Sequence, residues 1–312
     1  MSLTRAVAFG ALFFNFGALF LMRQIILTML LFVACQSAMT ESEPASTIVE
    51  AQILSGQRYL DSIFVNVSTL KDVQYCAVYN PYKNIMENLK LDIYRPANDT
   101  ATNRRAIIFV YGGGFWQGNK SIPLNVAFCK TLAKTGYVVF AIEYRKFPHQ
   151  SQYADSTLRI NLGSPMVGSD VRAAVCWLRT KTRQYRIAAE KIAVLGTSSG
   201  GFGAMSATYD HAIDSLNGVN GNNGTPNLCI VTSGGMPLGE IDRIENGEPE
   251  LYLAHCLDDP IPFLYAQSIY ARAQFVGIGI TNWWIDGNCH GAIKCCYLDF
   301  FTNITQWLYT RF

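Results

Sequence analysis

From about residue 72, hydrophobic positions fall into two alternating patterns, short runs of strand character and longer stretches of helical spacing. Leu89–Tyr94 alternates apolar and polar residues, as a half-exposed strand does. Ala106–Val110, Tyr137–Ile142 and Ile192–Leu195 are short apolar runs, as buried parallel strands are. Leu228–Val231, Leu251–Leu257 and Gly279–Ile285 add three more strands. Between these runs, Pro123–Lys134, Ser169–Tyr185, the segment after Gly196, Phe263–Phe275 and Gly291–Tyr309 carry helical spacing. In Ser169–Tyr185, Val171, Ala174, Val175 and Leu178 share one face. Strands separated by helices of this size predict an α/β fold, a three-layer αβα sandwich around a mostly parallel sheet. No internal repeat or low-complexity tract interrupts the pattern.

The N-terminus departs from it. Ala6–Met22 is apolar apart from Asn15, Arg23 breaks the run, and Ile25–Ala34 is apolar again. A short apolar stretch behind a positive charge reads as a signal-peptide core, with Met22 rather than Met1 as the start. The alternative is an uncleaved membrane anchor over residues 6–34. Phe32-Val33-Ala34-Cys35 faintly resembles a lipoprotein cleavage box but has Phe at its first position. Ser37 and Ala38 offer small residues for ordinary cleavage. Residues 40–60 are polar. The chain therefore divides into a leader and linker over 1–45 and one domain over 46–312.

Composition adds limits. Half of the 312 residues are hydrophobic and 15% are charged, enough for one large core, and the formal net charge is +2. No block of like charges suggests a nucleic-acid groove or a polybasic membrane patch. Asn66-Val67-Ser68, Asn98-Asp99-Thr100, Asn223-Gly224-Thr225 and Asn303-Ile304-Thr305 are glycosylation sequons, in keeping with export. Of nine cysteines, Cys35 falls in the leader, and the remaining eight are compatible with disulfides in an oxidising compartment or with buried thiols. Cys176 sits at a helix-core position and fits the second description.

The candidate chemistry centres on Gly196-Thr197-Ser198-Ser199-Gly200, between a buried strand and a helix. A nucleophilic Ser needs that strained strand-to-helix turn, and the glycines allow close backbone approach. Upstream, Ile107–Val110 runs into Tyr111-Gly112-Gly113-Gly114-Phe115-Trp116. Bare amides at Gly113 and Gly114, with the amide of Ser199, would form an oxyanion hole. Gly118-Asn119-Lys120-Ser121 is no phosphate loop, because Asn separates Gly from Lys. Four His are candidates for the base. His149 precedes the nucleophile, His211 follows its helix with no strand before it, and His255 lies within a strand. His290, in Gly287-Asn288-Cys289-His290-Gly291, lies on the loop after the last strand, where the ligands of open α/β sheets gather. The acid should leave the end of the preceding strand, where Asp258 and Asp259 both stand.

These blocks together resemble the bacterial-type esterases related to hormone-sensitive lipase, including small acetyl and feruloyl esterases. Leu91–Pro96 is similar to their entry strand and Tyr111–Phe115 to their His-Gly-Gly-Gly oxyanion motif. Asp170–Arg179 with Gly196–Gly201 matches the helix and nucleophile turn. His255–Pro260 matches the His-Gly-Thr-Asp-Asp-Pro acid loop, and Cys289-His290-Gly291 the base loop. The resemblance covers about residues 85–300. It implies an α/β-hydrolase fold, and a catalytic set of Ser198, Asp259 and His290. Counting forward from His255 gives Asp259 as the acid, whereas counting back from Pro262 gives Asp258, because one residue is missing between Pro260 and Pro262. Tyr111 replaces a His that holds the loop in the family, a departure that bears on loop rigidity rather than on chemistry. The short stretch Gly234–Glu248, where many relatives insert a lid, implies an open site.

Glu143, Arg145 and Asp170 read as one buried polar network. A metal site from Cys289, His290, Cys295 and Cys296 lacks any usual zinc spacing. The expected function is an exported serine carboxylesterase without cofactor or metal, acting on a small-molecule or polysaccharide-linked ester. Membrane association is expected only if the leader is uncleaved. The rival readings are an arylformamidase-like amidase and a non-catalytic binding protein on the same fold.

Overall fold

The computed structural model describes residues 54–149, 151–215 and 222–312. The leader, the linker and the boundary expected at residue 46 lie outside the described residues, as do Met22 and Cys35. Among the described residues, eight strands form one sheet in the order β1-β2-β4-β3-β5-β6-β7-β8. The strands are β1 (Val67–Asn80), β2 (Ile85–Pro96), β3 (Arg104–Val110), β4 (Val138–Ile142), β5 (Ile187–Thr197), β6 (Leu228–Thr232), β7 (Glu250–Cys256) and β8 (Ile280–Ile285). β1 and β2 form an antiparallel hairpin and β2 runs antiparallel to β4, while β3 to β8 are mutually parallel. The strand β1 escapes the periodicity reading because it is a half-exposed edge whose register shifts between Leu70 and Val73 and again between Gln74 and Cys76. Each bulge resets the in–out alternation.

The apolar runs of β3, β4 and β6 are wholly buried or nearly so. Each fully buried Val, Ile or Phe there contributes about 1.5–3 kcal/mol relative to exposure. Helices cover both faces. α1 (Pro123–Lys134) packs Phe128 against Tyr297 and Phe300 of a C-terminal helix, α7 (Tyr297–Arg311). α2 (Ser156–Thr180), the single turn α3 (Thr182–Tyr185), α4 (Ser199–Tyr209), α5 (Leu264–Val276) and the single turn α6 (Ala292–Cys295) complete the set. The expected helix Gly291–Tyr309 is thus two helices, broken at Cys296, whose φ of −130° is not helical.

The helix expected at Ser169–Tyr185 begins much earlier, at Ser156. Asp155 caps it by accepting the Leu158 N–H. Gly163, Pro165 and Gly168 hide this first half from a propensity reading, since Gly and Pro normally break helices. Two of them are needed for close packing. A Cβ on Gly163 would stand 2.6 Å from the Phe115 ring, and one on Gly168 would stand 2.7 Å from the Ser206 Cβ of α4.

Between β6 and β7 the chain makes only a short 3-10 turn, Leu238–Arg243, so no lid covers the carboxyl ends of the strands among the described residues. The fold is the three-layer sandwich expected. Also among the described residues, no helix is long and apolar enough to cross a membrane.

Candidate active site

β5 ends at Thr197 and α4 begins at Ser199, leaving Ser198 on the turn between them with φ 53° and ψ −126°. A positive φ is costly for a residue with a Cβ, and such outliers persist only when the surroundings impose them. Here the imposing contacts are visible. The Ser198 N–H is held by the Thr232 carbonyl at 3.0 Å. A Cβ on Gly196 would meet the Gly200 carbonyl oxygen at 2.3 Å, and one on Gly200 would meet that of Val110 at 2.2 Å. The turn is packed backbone on backbone, and its strain aims the Ser198 side chain out of the sheet.

Ser198 Oγ lies 2.9 Å from His290 Nε2, and His290 Nδ1 lies 2.8 Å from Asp259 Oδ1. A carboxylate only accepts, so Nδ1 carries the hydrogen and Nε2 of the neutral ring accepts from the Ser198 hydroxyl. The Asp259 side chain is fully buried while His290 is 37% exposed, so the relay runs from the interior towards solvent. Burial would raise the Asp259 pKa, but hydrogen bonds from His290, Ser233 and the Ile261 N–H outweigh it and hold the carboxyl below its usual value. Asp258 is exposed, its backbone N–H bonded to the Gly287 carbonyl.

The glycine loop lies directly on the nucleophile: a Cβ on Gly112 would stand 2.8 Å from the Ser198 Cβ. Gly114 and Phe115 take φ of 60° and 67°, and the loop closes by Gln117 N–H on the Gly113 carbonyl at 3.0 Å. The Gly114 and Ser199 amides have no hydrogen-bond acceptor among the described residues. The Gly113 amide differs, for it donates to Ser199 Oγ at 2.9 Å. Tyr144 OH lies 3.3 Å from the same Oγ and donates to the Tyr111 carbonyl at 3.0 Å. Tyr111 in turn donates its hydroxyl to Glu143 Oε2 at 2.6 Å, and Glu143 Oε1 accepts the Lys120 N–H at 2.9 Å. Glu143 therefore separates from the network expected for it. Arg145 and Asp170 form their own buried pair, with Nε to Oδ1 at 2.9 Å, while Glu143 serves the loop. Tyr111 thus anchors the glycine loop through its hydroxyl on Glu143.

The remaining His are accounted for. His255 is buried, with Nε2 3.0 Å from the Ile261 carbonyl, and burial pushes its imidazole down towards the neutral form. It steadies the turn whose Ile261 N–H bonds Asp259 Oδ1 at 2.8 Å. His211 pairs with Glu248 at 2.7 Å on the surface, and His149 stacks on Trp116.

Sequence reasoning missed the residues that fix the base loop. Ser233 Oγ accepts the Gly291 N–H at 2.7 Å, and Thr232 Oγ1 accepts the Ala292 N–H at 2.8 Å. The available signal was two adjacent hydroxyl residues at the carboxyl end of a parallel strand, the position where site residues collect. A disulfide joins Cys289 to Cys295 and closes the same loop around His290, so neither is a metal donor. Cys76, Cys129, Cys176, Cys229, Cys256 and Cys296 are free thiols. Cys176 is half-buried rather than fully inside. Among the described residues no group of three or more His, Cys, Asp or Glu could hold a metal ion.

Comparison with known proteins agrees with this architecture. Residues 91–228 match the family described as BD-FAE. Esterase LipC of Mycobacterium tuberculosis is 30% identical over 111 residues, which are 36% of this chain and 24% of that protein. The non-reducing polyketide synthase atr1 of Stereocaulon alpinum is 29% identical over 139 residues, 41% of this chain and 5% of the synthase. The matched stretches thus span well under two thirds of either relative. Among solved structures, the propionate-bound Est2 esterase of Thermogutta terrifontis superposes with a TM-score of 0.61 at 18% identity, covering 86% of this chain and 97% of that one. The same esterase phosphorylated by paraoxon gives 0.60 at 20% identity, covering 78% and 94%. The sheet order and the strained Ser turn give the chain the α/β-hydrolase fold, and its residues 91–228 are similar to the BD-FAE family.

Proposed function

We propose that this protein is a serine carboxylesterase acting on small-molecule carboxylic esters. The observation that carries the reading is the unbroken relay Ser198–His290–Asp259, with links of 2.9 and 2.8 Å, on a strand-end face that no lid covers among the described residues. His290 Nε2 takes the Ser198 proton as Oγ attacks the ester carbonyl. Asp259 orients the ring and stabilises the imidazolium. The oxyanion is held by the N–H groups of Gly114 and Ser199, at the positive end of α4. Gly113 joins them by exchanging Ser199 Oγ for the oxyanion. His290 then protonates the leaving alcohol, and water releases the acyl group by the reverse sequence. Relatives with esterase in their names support this assignment, and so does the paraoxon adduct of the Thermogutta enzyme.

An open site also admits esters carried on a polysaccharide. Export of the protein is supported by the apolar N-terminal stretch, the Cys289–Cys295 disulfide and the exposure of Asn66, Asn98 and Asn223 in their sequons. A fluorophosphonate probe should label Ser198, and a panel of matched esters and formamides should show turnover of the esters. Absence of labelling would make the protein a binder, and preferential formamide cleavage would make it an amidase.

The disulfide should matter for rate rather than for binding. It closes the loop that carries the base, and a misplaced base costs rate steeply. Reduction with a dithiol, verified by thiol counting, is expected to lower kcat by about tenfold or more with KM little changed. Unchanged kcat in the reduced protein would mean that Ser233 and Thr232 position His290 without it.

A further inference from the structure

Trp116 leaves the glycine loop two residues after Gly114, and its indole turns back so that Nε1 would stand 3.3 Å from a Cβ at Gly114. The ring is thus the next layer outward from a proposed oxyanion donor. The guanidinium carbon of Arg159 lies 3.9 Å from the centre of that ring, and the His149 ring stacks on it at 4.7 Å. Arg159 belongs to the first turns of α2, which also brings Gly163 against Phe115, so helix and loop are locked together. The Arg159 Nη1 donates to the carbonyls of Tyr153 and Ala154. No carboxylate pairs with the guanidinium among the described residues; Asp155, the helix cap, is the one acid that acts on it electrostatically. A half-buried guanidinium fixed on an aromatic face, with Nε and Nη2 unengaged, is an anion receptor: planar, permanently charged and pre-oriented.

We infer that Arg159, seated on Trp116 beside the oxyanion loop, is a specificity-determining residue that favours esters bearing a carboxylate near the scissile bond over neutral esters of the same size. The inference rests on the esterase reading and names its substrate class. A carboxylate at that rim exchanges water for a charge-assisted hydrogen bond with a donor already held in place. The gain should appear in KM, because the substrate carboxylate takes no part in the bond changes and the contact is made equally in ground and transition states. His149, on the same ring, adds a second donor to the rim.

The test uses two pairs of substrates that differ only in charge. On the acyl side, 4-nitrophenyl butyrate is compared with the 4-nitrophenyl monoester of succinic acid. On the alcohol side, 4-acetoxybenzamide is compared with 4-acetoxybenzoate, the acetyl ester of 4-hydroxybenzoate. Arg159→Gln is expected to lower the anionic-to-neutral ratio of kcat/KM in at least one pair by roughly tenfold, through KM. Arg159→Lys should recover part of it, since charge returns without the planar fork. Added salt should weaken the preference of the wild type and leave that of Arg159→Gln unchanged. A ratio that is the same in wild type and Arg159→Gln for both pairs overturns the inference. So does a parallel fall for both members of a pair with a lowered Tm, which would make Arg159 an anchor of the 153–154 turn. Turnover of the neutral esters by the wild type keeps the esterase reading standing in either case. Failure of the wild type on all four esters would remove that reading and this inference with it.

Discussion

Ser198→Ala should reduce turnover of an activated ester by about 10⁶-fold, to the residual rate supplied by binding and the oxyanion donors. The magnitude follows from the way a relay works. With no hydroxyl there is no nucleophile for His290 to activate, and the well-placed His290 and Asp259 cannot compensate. The protein should remain folded. Among the described residues Ser198 Oγ makes its hydrogen bond to His290 alone, at 2.9 Å, while the backbone bonds of the turn to Thr232 and Phe202 do not involve the side chain. Ala carries the same Cβ at φ 53°, so the turn is no more strained than before. The measurement is kcat/KM on a 4-nitrophenyl ester together with a thermal midpoint. A variant that unfolds at the wild-type temperature but loses all labelling by a fluorophosphonate would establish the nucleophile. Retained turnover would remove Ser198 from the mechanism altogether.

What could be read from the chain depended on how local the determining interaction was. Ser198 was legible because strand, glycine turn and helix are contiguous, and the same contiguity exposed the glycine loop after β3. His290 followed from its place after the last strand. The state of the Gly113 amide was not legible. It depends on the Ser199 hydroxyl, which is set by Tyr144 from β4's exit loop, and neither contact leaves a pattern in sequence. Glu143 was misassigned for the same reason. It is two residues from Arg145, but the strand end sends one side chain to Tyr111 and the other to Asp170. The first half of α2 was hidden by residues chosen for tight packing, and β1 by its bulges. The Cys289–Cys295 pairing was not legible because the spacing of eight cysteines does not fix their connectivity.

The assignment of the acid is the sharpest remaining test. Asp259→Asn should lower kcat by roughly 10⁴-fold, and Asp258→Asn should leave it near wild type. The Asp259 carboxylate accepts from Nδ1 of His290 at 2.8 Å and thereby leaves Nε2 free to take the Ser198 proton. An Asn amide can instead donate to Nδ1, which moves the ring hydrogen to Nε2 and presents the nucleophile with a donor where it needs an acceptor. The geometry would be nearly unchanged and the chemistry lost. The same Oδ1 accepts both the His290 Nδ1–H and the Ile261 N–H at 2.8 Å, so an Asn that donates to Nδ1 gives up the Ile261 bond, a cost of about 1–3 kcal/mol that should lower the thermal midpoint without unfolding the protein. Asp258 is exposed, and what ties it to the base loop is its backbone N–H on the Gly287 carbonyl at 3.3 Å, which Asn retains. Kinetics of both variants on one good ester decide the matter. A large loss at Asp258 with near-normal rates at Asp259 would reverse the assignment, require the acid loop to shift by one residue in the working enzyme, and leave Ser198 and His290 in their roles.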